Sequence, residues 1–457
     1  MPTFDYKVWV HPPGPESKHG LRMRRALLVW SAVMALGMLG WAVYFGLRGT
    51  WSIVVCNIVL AAIAAISAVF TLRGRTRTAT LLMVCSLYVA LCLLCLVQDI
   101  PNAQAPRSAH HFFLVMGMGT FLIFKGERAW LRHGISMACF ATFFVFASTQ
   151  WGFDTPYVLP DAVRIPGTWF NNALALLGLY ALLHVMQSEM TAYNAMASDL
   201  RKALPGNQFA LYYQPQTDEQ GRIAGVEALV RWIHPVNGMV SPAEFIPVAE
   251  QTGVILPLGH WVLGTACAQL VRWSQDPTTA ELTIAVNVSA QQFKQPDYVQ
   301  QVLSVLARSG AEPSRLKLEL TESMLVNDVD DIIAKMTALR AHGVRLSLDD
   351  FGTGYSSLSY LKKLPLDQLK IDKSFVRDVL TDPNDAAIAR TVVTLAHNMG
   401  LQVIAEGVET EGQRQFLADI GCAAIQGYLL SRPVPIGEFA AFLAAYAATH
   451  TPSTASP

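Results

Sequence analysis

Six long apolar runs dominate the first 186 residues, and nothing else in the chain constrains its fold as strongly: Ala26–Leu47, Trp51–Leu72, Thr78–Val97, Ser108–Phe124, Gly134–Trp151 and Thr168–Val185. A helix needs about 20 apolar residues to cross a bilayer, and a helix satisfies its own backbone hydrogen bonds there. No run carries Asp, Glu, Lys or Arg in its middle, as the cost of placing charge in lipid requires. The fourth and fifth runs are short. The expectation is an all-α membrane helical bundle of about six spans.

The flanking charges give that bundle an orientation. Lys18, Arg22, Arg24 and Arg25 precede the first run; Arg73, Arg75 and Arg77 follow the second; Lys125, Arg128 and Arg132 follow the fourth. The alternate loops are poorer in positive charge: Arg48, then Asp99 and Arg107, then Asp154, Asp161 and Arg164. The positive-inside rule places the N-terminus in the cytoplasm, and six crossings return the C-terminal half to the same side. Trp51, Trp151 and Trp169 read as interface anchors. The loops are too short for a folded external domain. The first run is as long as a full span with no clean cleavage site after it, which argues against a removable signal peptide.

Residues 1–190 hold 14 Lys/Arg against 7 Asp/Glu, and residues 191–457 hold 20 against 27. The acidic second half gives no electrostatic footing for binding a nucleic-acid polymer. Five of the seven cysteines sit in apolar runs, and their spacing is not that of a secreted disulfide framework. Cys92 and Cys95 read as packing residues inside a helix rather than as a redox or metal pair. His110, His111 and His184 read as interfacial residues rather than as ligands. Gln187–Lys202 is expected to continue the last span as a linker helix ending near Pro205-Gly206.

From Phe209 onward, short β-branched runs alternate with amphipathic segments. Strands are expected at Phe209–Gln214, Ile223–Trp232, Thr283–Ser289, Arg315–Leu320, Arg345–Asp350, Gln368–Asp372, Gln402–Glu406 and Ala423–Leu430. Helices are expected at Pro242–Thr252, Leu258–Ser274, Val329–His342, Asn384–Met399 and Glu411–Ile420. Eight strands with intervening helices over about 250 residues point to a (β/α)8 barrel, with a doubly wound open sheet as the alternative.

Polar residues fall within or at the C-terminal parts of these strands: Glu227, Asn287, Glu319, Asp349, Asp350, Lys370, Glu406 and Gln426. In a parallel barrel such ends converge on one mouth. Carboxylates crowded there repel one another and raise one another's pKa values. Hard divalent cations resolve that conflict, because they prefer oxygen ligands. A pair of them about 4 Å apart is the usual clamp for phosphodiester hydrolysis. Glu319 lies between Leu318 and Leu320, so its burial calls for a cation nearby. Each acid taken singly reads as a surface or capping group; several strand-end acids in one 250-residue stretch do not.

At this point the motifs resemble a known family. Val226-Glu227-Ala228-Leu229-Val230-Arg231-Trp232 is similar to the signature of EAL phosphodiesterases, with Val230 where Leu is usual. The resemblance runs on through Tyr213-Gln214-Pro215, Phe245-Ile246-Pro247, Val286–Ser289, Glu319–Ser323, Asp349–Ser357, Leu369–Asp372, Ala405–Thr410 and Gln426-Gly427-Tyr428. It spans about residues 197–449. It implies a modified TIM barrel whose first strand runs antiparallel. It also implies hydrolysis of cyclic di-GMP to linear pGpG with two Mg2+ or Mn2+ ions per site. By position, Glu227, Asn287, Glu319 and Asp349 would hold one metal, with Asp349 bridging to a second and Asp350 as a further ligand. Lys370 and Glu406 would orient or deprotonate the attacking water. Gln426 would contact that water or the substrate, beside Gln214. Arg231 would contact phosphate, Glu322 would brace the Asp349–Gly354 loop, and Glu409 would be supportive. A homodimer is expected from the same resemblance.

The resulting organisation is a cytoplasmic segment at 1–25, a six-helix membrane region at 26–186, a linker helix at 187–204, an EAL phosphodiesterase domain at 205–449 and a disordered tail at 450–457. It places the protein in a bacterial inner membrane with its catalytic half in the cytoplasm. The competing readings are a non-catalytic cyclic di-GMP receptor and, behind it, a transporter with an appended regulatory domain. Every expected catalytic position is filled, which favours the hydrolase.

Overall fold

The computed structural model describes residues 18–124, 129–322, 324, 328–352 and 361–450. Most of the N-terminal segment, Lys125, Arg128, Ser323, positions 353–357 and the tail beyond 450 lie outside the described residues. The chain divides into two compact units, residues 1–191 and 192–457.

The first unit is helical: α1 Lys18–Leu47, α2 Trp51–Leu72, α3 Thr76–Leu93, α4 Phe112–Ile123, α5 Ala129–Ser148 and α6 Asp161–Ala203, the last reaching into the second unit. A π-helical turn, Leu94–Gln98, extends α3, and a 3-10 turn, Ala109–His111, leads into α4. Each helix lies where an apolar run is expected. Among the described residues, five segments are long and apolar enough to cross a membrane: Leu27–Leu47, Ile53–Leu72, Thr76–Gln98, Ala129–Ser148 and Asp161–Ala203. The fourth, Ala109–Ile123, falls short; at 1.5 Å per residue it covers about 22 Å of a hydrocarbon core of about 30 Å.

The charges between the expected third and sixth runs do more than flank them. Asp99 is buried and accepts the N–H groups of Ser108 and Ala109, both at 2.8 Å. Arg164 lies 3.4 Å from Asp99 Oδ1 and donates to Ala105 O at 2.9 Å. Arg107 donates to the carbonyls of Phe146 and Thr149 and stacks over the Phe146 ring. A cation there satisfies the free carbonyls at the end of α5.

In the second unit the strands are β1 Phe209–Thr217, β2 Ile223–His234, β3 Gly238–Val240, β4 Thr283–Val288, β5 Leu316–Thr321, β6 Arg345–Phe351, β7 Gln368–Ile371, β8 Gln402–Ala405 and β9 Val434–Pro435. The sheet order is β8-β7-β6-β5-β4-β2-β1-β9, with β3 on β2. β2 through β8 run parallel apart from β3, and β1 lies antiparallel to β2. Parallel strands buried on both faces ordinarily read as near-continuous apolar runs; Leu316–Leu320 departs from that, since every residue is buried although Lys317 and Glu319 are charged.

One expected strand is absent. Ala423–Leu430 forms a single bridge, Ala405 to Ile425, and no strand. Its backbone is shared between two neighbours: Ile425 O accepts from Thr217 N, and Gln426 N donates to Ala405 O. At Gly427 the segment passes so close to the Val408 backbone that no Cβ fits. This irregular piece links β8 to β1 and closes the sheet into a barrel, so the open-sheet alternative falls. Helices expected from amphipathic spacing form as Pro242–Thr252, Ile255–Trp273, Val329–Ala341, Pro383–Asn398 and Glu411–Asp419. Thr410 and Gln413 cap the last of these reciprocally.

Candidate active site

The strand ends deliver the expected side chains to one place. Side chains alternate along a strand, so Glu227 on β2, Glu319 on β5, Asp349 on β6 and Lys370 on β7 all project into the barrel. Asn287 comes from the end of β4, and Glu406 follows the last residue of β8. The Lys370 ammonium is completely buried and sits at the centre. It lies 2.6 Å from Glu319 Oε2, 3.5 Å from Asp349 Oδ2 and 3.7 Å from Glu227 Oε2, and it also pairs with Glu406.

A second layer of contacts fixes Glu227. Its Oε1 accepts from Asn287 Nδ2 at 2.5 Å and its Oε2 from Gln426 Nε2 at 2.6 Å. Gln426 Nε2 also donates to Gln214 Oε1 at 3.0 Å, and Gln426 Oε1 accepts from Gln216 Nε2 at 2.8 Å. Gln216 was missed in the sequence. Its signal is its place two residues after Gln214, on the same face of β1. Gln426 reaches the ring from the closing segment rather than from a strand.

The loop after β6 is held in an unusual conformation. Asp350 has φ +56°, the left-handed region that non-glycine residues rarely enter. Its N–H donates to Asp349 Oδ1 at 2.9 Å, and the next N–H but one, that of Gly352, donates to Glu322 Oε2 at 2.9 Å. Arg231 stands half-buried with its guanidinium over the Tyr212 ring. Glu409 is exposed; its backbone N–H donates to Gln413.

The electrostatics match the crowding. Burial raises the Glu319 carboxyl to about 8, with Glu227 and Asp349 pushing the same way against Lys370. Burial likewise lifts Glu406 well above the ordinary carboxylate range. Burial also works to raise Glu227, but Lys370, Gln426 and Asn287 outweigh it and leave it low. Asp350 is raised to about 6 by burial and by Asp349 and Asp372. Lys370 is raised despite burial, because the acids around it favour its charge. Burial pushes Lys317, one layer deeper in the barrel, down to about 8.

Among the described residues no three Asp, Glu, His or Cys side chains form a ready-made metal cage; the acids converge on Lys370 instead. The donor set nevertheless fits a hard divalent cation, since it is made of carboxylates and an amide. Glu319 Oε1 is buried with no hydrogen-bond partner, and an orphaned buried carboxylate oxygen is costly unless a cation meets it.

A family model described as the EAL domain matches residues 197–433. The bifunctional diguanylate cyclase/cyclic di-GMP phosphodiesterase MucR of Pseudomonas aeruginosa is 47% identical over 247 residues, covering 54% of this chain and 36% of MucR. The cyclic di-GMP phosphodiesterase NbdA of the same organism is 43% identical over 252 residues, covering 55% of this chain and 32% of NbdA. This chain thus spans about a third of the length of these curated relatives. A solved structure described as the PaMucR phosphodiesterase in complex with c-di-GMP superposes with a TM-score of 0.52 at 46% identity, covering 54% of this chain and 99% of that one.

Proposed function

The chain belongs to the EAL domain family, and from that premise we propose that it is a phosphodiesterase hydrolysing cyclic di-GMP to linear pGpG with a pair of divalent cations. The observation that carries this reading is the convergence of Glu227, Glu319, Asp349 and Glu406 on one buried ammonium. Glu227, Asn287, Glu319 and Asp349 would hold one cation, and Asp349 and Asp350 the second. Mg2+ and Mn2+ both suit these oxygens. When bound, the cations acidify water and offset phosphate charge.

The chain's own groups do the rest. Glu406, held by Lys370, would in its ionised form take a proton from the attacking water. Lys370 orients that water and offsets negative charge developing on phosphorus oxygens. The water oxygen bonds to phosphorus, the bond from phosphorus to the ribose 3′ oxygen breaks, and that oxygen takes up a proton to become the 3′ hydroxyl, leaving the 5′ phosphate of pGpG. Gln426 fixes Glu227 and is itself held by Gln214, and both would contact water or substrate. Arg231 contacts a phosphate from the rim, Glu322 holds the Gly352 turn, and Glu409 supports the site from outside the ring.

The helical unit is read as a membrane anchor of about six spans in a bacterial inner membrane, with both termini cytoplasmic. Its outward faces support this: Trp30, Leu36, Val43, Leu176, Leu177 and Tyr180 stand exposed, an apolar surface suited to lipid. A homodimer completes the reading. The test is turnover of cyclic di-GMP by the purified chain with Mg2+ or Mn2+. Product pGpG is expected from the parent and none from Glu227→Ala or Asp349→Asn. Tight cyclic di-GMP binding with no product at any metal concentration contradicts the hydrolase and leaves a receptor.

A further inference from the structure

Lys317 is a buried lysine that the catalytic account leaves unused. It lies two residues before Glu319 on β5, so it projects from the same face, one layer beneath the carboxylate ring. The layer is polar: Lys317 Nζ donates to Gln368 Oε1 at 2.8 Å, and Ser347 Oγ donates to the same oxygen at 3.4 Å. Ser347 and Gln368 sit two residues before Asp349 and Lys370, so the three form a floor under Glu319, Asp349 and Lys370. Among the described residues no carboxylate forms an ion pair with Lys317, and its exposure is 6%. A buried ammonium held by one neutral amide oxygen is expensive, and packing alone does not call for it.

The charged groups that act on it are Glu319 and Lys370 in the ring above, one strand repeat away at roughly 7 Å, together with Arg345, its register partner on β6, and Asp367. Salt screens charges inside the barrel much less than charges on the surface. We propose that Lys317 is a positioning residue whose fixed positive charge, acting from below the ring, weakens the hold of the carboxylates on divalent cations. The inference rests on the metal-dependent reading above. It makes a prediction of definite sign: neutralising Lys317 tightens cation binding. A residue that merely fills space has the opposite effect, because its loss loosens the ring and weakens binding.

The experiment uses the full chain in detergent micelles at pH 7, with Mn2+ as the probe and free Mn2+ counted by electron paramagnetic resonance. Lys317→Met should bind Mn2+ at least about tenfold more tightly than the parent, and Lys317→Arg within about threefold of it. Gln368→Glu sets a carboxylate against the ammonium and neutralises it without removing the side chain; it should also tighten binding, and it carries the test if Lys317→Met does not fold. Equal or weaker Mn2+ binding in both neutralised variants overturns the inference while leaving the metal site standing. A parent chain that binds no Mn2+ overturns the metal reading itself, and this inference with it.

Discussion

Replacing Lys370 with Met tests how the ring is held together before any cation arrives. The side chain is fully buried and touches four carboxylates, and Met preserves its volume. Removing one partner of a buried ion pair costs about 3–5 kcal/mol. With four acids left uncompensated, the upper end applies at pH 8. A unit of this size loses about 2–4 °C of thermal midpoint per kcal/mol, so a fall of roughly 10–20 °C is expected without metal. The penalty shrinks toward pH 5, because Glu319 and Glu406 are raised and take up protons instead. Added Mg2+ should restore more stability to the variant than to the parent, since the cation replaces the missing charge, yet turnover stays lost. Differential scanning fluorimetry of the full chain in detergent, at pH 5 and 8 with and without Mg2+, reads all four conditions. A metal-free midpoint at pH 8 within about 2 °C of the parent would refute the reasoning.

Two further outcomes follow from the same geometry. Glu322→Ala removes a charged acceptor from the Gly352 N–H, worth about 1.5–3 kcal/mol; kcat/KM should fall about 10- to 100-fold while Mn2+ affinity stays within threefold, and an unchanged kcat/KM argues that the loop needs no brace. Burial holds Glu319 up to about 8, and a cation binds its ionised form, so binding at pH 7 should release a proton and affinity should rise with pH until about 8. Calorimetry in two buffers of different ionisation enthalpy measures that release, and none at pH 7 contradicts the raised carboxyl.

Much of this site was legible along the chain because it is built from strand ends. Short β-branched runs alternating with amphipathic segments located seven of the expected strands to within a few residues, and the convergence of strand ends on one barrel mouth brought Glu227, Glu319, Asp349 and Lys370 together. Ala423–Leu430 misled because its composition is that of a strand. What denies it a ladder is tertiary: its hydrogen bonds are divided between β8 and β1, and Gly427 is pressed against Val408. The meeting of four acids on one ammonium depends on contacts between residues up to 143 positions apart, from Glu227 to Lys370, and no local pattern encodes that. In the helical unit, apolar runs located each helix, but length alone could not anticipate that Asp99, Arg107 and Arg164 fold together into a buried cluster.

The claim beneath all of this is that the barrel mouth is a divalent-cation site. Crystals of the chain grown with Mn2+ and measured at the manganese absorption edge address it most directly. The account predicts two anomalous peaks about 4 Å apart, with Glu227, Asn287, Glu319 and Asp349 around one and Asp349 and Asp350 at the other. Density showing the four carboxylates still closed on Lys370, with no manganese among them, would contradict it.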